Sequence, residues 1–78
     1  MSVNQNYFEE AIGEVNGSNK IFTTPKDYVP GTLRVFRNGR LITKQYEDGF
    51  EEILTPSFSM KIAPEIGDNI FVFYEEWL

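Results

Sequence analysis

The chain contains neither cysteine nor histidine. The first absence excludes disulfides and thiolate metal sites. The second removes the commonest general base and the commonest imidazole ligand. A chain without cysteine also fits synthesis in a reducing cytosol. Tryptophan occurs once and methionine twice, so seven Phe and four Tyr must supply much of any core. No stretch approaches the ~20 apolar residues of a membrane helix, and residues 1–6 have neither the basic start nor the apolar run of a signal peptide. A membrane is therefore not an expected partner. Basic residues are scarce too, seven against twelve acidic, for a net charge of −5. Arg34, Arg37, Arg40 and Lys44 gather along one stretch, but Asp27, Glu47 and Asp48 offset them. A phosphate-binding surface needs an uncompensated basic stripe, so nucleic acid is not expected either.

What is present is turn chemistry and alternation. At 78 residues there is room for one domain. A chain this short buries about 60–65% of its unfolded surface, and its stability is roughly 4–12 kcal/mol. Residues 1–8 read as a flexible N-terminal arm and 9–78 as the domain. Residues 7–11 suit a short strand or one helical turn, and residues 12–15 alternate as a strand would. Asn16-Gly17-Ser18-Asn19 is a turn cluster, after which residues 20–24 are β-branched and aromatic, completing a first hairpin. Pro25 and Pro30 bracket a loop, because neither can donate to a ladder.

Asn38-Gly39 is the strongest short-range hairpin signal, since a type I′ turn needs positive φ at both central positions. A two-residue turn sets Arg37 opposite Arg40, Phe36 opposite Leu41 and Val35 opposite Ile42. Both faces of this hairpin are therefore apolar. Phe58, Met60 and Ile62 alternate with polar residues as a half-buried strand, and residues 69–74 form a continuous apolar run, expected to be covered on both faces. The fold class that follows is all-β: a small antiparallel β-sandwich or partly open barrel of six to seven short strands.

Few residues suggest chemistry. Glu47, Asp48, Glu51 and Glu52 invite a calcium reading, but their spacing does not match a twelve-residue calcium loop, and a solvated acidic loop is expected. Neither a catalytic nor a cofactor site is assigned. Asn16-Gly17-Ser18 fits a glycosylation acceptor pattern, and the turn reading is preferred. The candidate protein-interface residues are Arg37, Arg40, Phe71, Phe73 and Trp77. Arg37 and Arg40 face each other as like charges, which a partner's carboxylates would relieve. Phe71, Phe73 and Trp77 share one face of the last strand, with Ile70, Val72 and Tyr74 on the other, more apolar surface than one thin core needs.

Three blocks in order carry a resemblance. They are Phe22-Thr23-Thr24-Pro25, then Tyr28-Val29-Pro30-Gly31-Thr32-Leu33 running to Val35-Phe36-Arg37-Asn38-Gly39, then Ala63-Pro64-Glu65-Ile66-Gly67-Asp68 running to Val72-Phe73-Tyr74. Over residues 15–74 the chain resembles small β-sandwich modules in structural proteins of tailed bacteriophages: tail fibres, baseplates, necks and capsid-decoration proteins. The resemblance implies a non-enzymatic virion subunit made in the host cytoplasm. It would be a homo-oligomer or dock on capsid, neck or tail proteins, and would need no cofactor. Residues 46–54 are longer and more acidic than the family pattern, which suggests a free-standing accessory subunit. The competing expectation is a host-surface carbohydrate-binding module, and a third is a small inhibitor that adds a β-edge to its target.

Overall fold

A computed structural model describes residues 5–45 and 47–76, with side chains described from Phe8 onward. Seven strands form: β1 (Gln5–Glu10), β2 (Ile21–Thr23), β3 (Arg34–Arg37), β4 (Arg40–Ile42), β5 (Phe50–Glu52), β6 (Ser57–Met60) and β7 (Ile70–Glu76). They make two antiparallel sheets, four-stranded in the order β1-β7-β3-β4 and three-stranded in the order β2-β6-β5. The fold is an all-β sandwich.

Asn38 and Gly39 adopt φ values of 53° and 82°, so the β3–β4 turn has the positive φ pair that Asn-Gly favours. The pairing follows: Val35 with Ile42, Phe36 with Leu41, Arg37 with Arg40. Inward alternation builds the core. Val35, Ile42, Ile70, Val72 and Tyr74 of the larger sheet meet Phe22, Phe50, Phe58 and Met60 of the smaller one, all buried. The Phe22 and Phe58 rings stack at 6.1 Å, and Phe50 meets Phe58 edge-on at 6.2 Å, within the range where aromatic pairs add to area burial.

Two buried tyrosines tie loops to this core. The Tyr28 hydroxyl reaches the carbonyls of Ser57 (2.7 Å) and Ile53 (3.2 Å), while the Tyr28 N–H donates to Thr55 Oγ1. Tyr74 donates to Glu9 Oε1 at 2.9 Å and accepts from the Lys26 N–H at 3.1 Å. Burial, with the Glu9 carboxylate beside it, pushes the Tyr74 hydroxyl pKa well above its ordinary value.

Several expectations need correction. Residues 5–8, read as flexible arm, belong to β1, which pairs with β7 from Gln5–Glu76 to Glu10–Phe71; residues 1–4 lie outside the described residues. The first hairpin does not form. Residues 12–15 contribute only an isolated bridge from Ile12 to Thr23, and β2 pairs with β6 instead. The chain turns away because Asn16 Oδ1 accepts the Ser18 and Asn19 N–H groups, and the Gly17 N–H donates to the Pro64 carbonyl. Pairing with β6 also sets Phe22 directly opposite Phe58, a gain the local hairpin lacks. Ile62 falls in a bend beyond β6 and stays exposed. Glu51 and Glu52 are strand residues of β5 rather than loop.

Candidate functional site

The outward faces of the two sheets differ in kind. Outside the smaller sheet stand Thr23, Ser57, Ser59 and Glu51, with Ile21 the one apolar member within its strands. Outside the larger sheet the register sets two rows rich in apolar side chains, with Glu75 the next outward residue of β7 beyond them. Phe8, Phe73 and Arg34 lie side by side across β1, β7 and β3, and Glu10, Phe71, Phe36 and Leu41 do so across β1, β7, β3 and β4. Five of these seven residues are apolar, and four of those are aromatic.

The rings pack on one another rather than into the core. Phe8 stacks on Phe71 at 5.3 Å and meets Phe36 edge-on at 5.5 Å. Phe71, Phe73 and Phe36 are half-buried beneath this layer, whereas Phe8 is 58% and Leu41 41% exposed. An open groove of about 350 Å³ runs beside the rings, bounded by Asn38, Gly39 and Asn69.

The hairpin tip at the groove's end is clamped. Asp68 Oδ2 accepts from Arg37 (Nη2 at 2.8 Å, Nε at 3.2 Å) and from the Glu65 N–H, and Oδ1 accepts from Asn38 Nδ2. Asn38 Oδ1 in turn accepts the Asn69 N–H at 2.9 Å. These donors, the Asn38 amide first, hold the Asp68 carboxyl below its usual pKa. The turn therefore presents a fixed edge to anything that meets the face.

The candidate residues separate accordingly. Phe71 and Phe73 lie together on the aromatic face. Trp77 falls outside the described residues. Arg37 and Arg40 do stand opposite each other, but each finds its carboxylate within the chain: Arg37 with Asp68, Arg40 with Asp48. The repulsion argument for an external acid at these two positions is thereby removed. Lys44 pairs with Glu52 at 3.4 Å, so of the four cations near the hairpin Arg34 is the one with no ion pair among the described residues. The acidic group disperses as well. Asp48 turns to Arg40, and Glu52 accepts the Gly31 N–H while pairing with Lys44. Among the described residues no three acidic side chains converge on a common point.

Sequence reasoning missed Phe8 and Leu41 as members of the face. Phe8 sat in the supposed arm, yet the register that pairs Phe36 with Leu41 already set Leu41 beside an outward ring. No protein family, curated protein or solved structure matches the chain.

Proposed function

We propose that this protein is a non-enzymatic structural subunit of a tailed bacteriophage particle. It would dock through the outer face of its larger sheet onto copies of itself or onto a capsid, neck or tail protein. The block resemblance supplies the virion class; the solvent-facing aromatic layer supplies the mode and is the observation that carries the reading. Phe8 and Leu41, at 58% and 41% exposure, leave about 200 Å² in water if each residue offers about 200 Å² when extended. Covering that area is worth on the order of 5 kcal/mol before the losses of association. That area alone is within what a monomer tolerates; the gathering of four rings in one outward layer is what points to a partner, because aromatic residues are enriched at the cores of interfaces.

The carbohydrate-binding alternative has less support. Sugar recognition sets free polar groups at the rim of a ring platform, and the Asn38 amide beside the rings spends both its oxygen and its nitrogen inside the fold. Quantitative mass spectrometry of purified particles, with and without Phe8→Ser and Leu41→Ser, tests the proposal. The wild-type chain should be found at a fixed copy number and the double variant should be depleted. Absence of the wild type from particles would overturn the virion class, and equal incorporation of the variant would overturn the docking face.

A further inference from the structure

We infer that the outer aromatic face pairs with the same face of a second copy around a two-fold axis. This inference rests on the docking reading above and names its partner. Its basis is the placement of charge within the two rows. Arg34 ends the row that begins with Phe8, and Glu10 begins the row that ends with Leu41. The two charges therefore occupy diagonally opposite corners of a patch whose centre is Phe71 and Phe73. Two strand spacings and two residues of rise separate their Cα atoms by about 12 Å. Both side chains are exposed, and neither has an ion-pair partner among the described residues.

Such a pattern complements itself. An axis lying in the plane of the face, midway between the corners and perpendicular to the line joining them, exchanges the two positions. Arg34 of each copy then meets Glu10 of the other, and Phe71 of each copy lies against the neighbourhood of Phe36 of the other. Strands of the facing sheets cross at about 70°, nearer the orthogonal class of sheet packing than the aligned one.

Charge also selects this occupant over others. The chain carries −5 overall, yet the two rows hold one cation and one anion, a sum of zero, and Glu75, the further charge on this side of β7, lies beyond them. Two copies can meet here without the repulsion that their remaining surfaces impose. A uniformly acidic or uniformly basic partner would leave one corner matched and the other opposed. A face four strands wide and about 17 Å long offers roughly 320 Å² per copy, below the standard size of specific interfaces, so the dimer is a weak and reversible one.

Sedimentation equilibrium of the full chain from micromolar to near-millimolar concentration tests this, using wild type, R34E and E10R. The wild type should show a monomer–dimer equilibrium. Either single reversal should raise the dissociation constant about tenfold or more by placing like charges together, with an unchanged melting temperature showing that the fold is intact. Mixed in equal amounts, R34E and E10R should associate with each other at close to wild-type strength, because every contact is then opposite in sign. A wild type that stays monomeric throughout, a dimer indifferent to both reversals, or a mixture no tighter than its components would each overturn the inference. The particle analysis above separates this failure from that of the docking reading: a chain found in particles yet monomeric in solution refutes the dimer alone.

Discussion

Replacing Tyr74 by Phe removes one oxygen from a fully buried ring and leaves the packing shape nearly unchanged. That oxygen links three elements. It belongs to β7, donates to Glu9 of β1 and accepts from the backbone of Lys26 in the loop after β2. A neutral hydrogen bond contributes about 0.5–1.5 kcal/mol and one to a charged group about 1.5–3, so the change should cost about 2–4 kcal/mol. Against a total of roughly 4–12 kcal/mol for a chain of this size, that is a large fraction. Urea unfolding should move the midpoint with m unchanged, and the melting temperature should fall by at least about 10 °C. A double-mutant cycle with Glu9→Ala isolates the pair and should give a coupling of about 1 kcal/mol or more. A loss below about 1 kcal/mol with no coupling would mean that water serves these groups equally well, and the linking role would be wrong.

Gly13→Ala should be among the most damaging small substitutions, because a Cβ there would stand 2.4 Å from the Phe22 ring; a loss of about 1–3 kcal/mol is expected by chemical denaturation, and an unaffected variant would contradict the packing. Asp68 is held below its ordinary pKa of 3.8 by Asn38, the Glu65 N–H and Arg37. Folding therefore favours its ionised form, and this contribution is complete above the unfolded value and lost as pH falls through the lower folded value. Melting temperature followed from neutral into acid should drop more steeply for wild type than for Asp68→Asn, and superimposable acid limbs would refute the clamp. Millimolar calcium should leave the melting temperature unchanged, since Asp48 and Glu52 are engaged by Arg40, Lys44 and Gly31; a rise with calcium concentration, the mark of binding to the native state, would reverse that reading.

What could be read from the residues follows the range of the forces involved. The β3–β4 hairpin was legible to the register, because Asn38-Gly39 sets its own backbone and the pairing follows within a few residues. That residues 69–74 hold a strand with two apolar sets was legible from continuous hydrophobicity, but not that only Ile70, Val72 and Tyr74 would be fully covered. The partner of β2 was not legible. Nothing near Ile21–Thr23 announces that Phe22 will face Phe58, a choice made by aromatic packing between distant segments. β1 was half legible: residues 7–11 were open to strand or helical turn, and the strand and its start at Gln5 come from pairing with β7 and from Glu9 meeting Tyr74, not from local propensity. At the candidate site, Phe71 and Phe73 were visible as an outward set, but the charges were misjudged. Arg37 and Arg40 looked unpaired because Asp68 lies 31 residues beyond Arg37 along the chain, while Arg34, noted only as part of the basic cluster, is the one that lacks an ion pair among the described residues.

The pairing of Gln5 with Glu76 has a mechanical corollary. Residue 5 and residue 76 sit side by side at one end of the larger sheet, and the two strands run away from that point together. Tension applied through both ends would load the ladder one rung at a time, as a zipper is opened, instead of shearing every hydrogen bond at once. Force through the chain ends thus meets weak resistance, whereas force transmitted across the flat of the sandwich meets the whole aromatic interior.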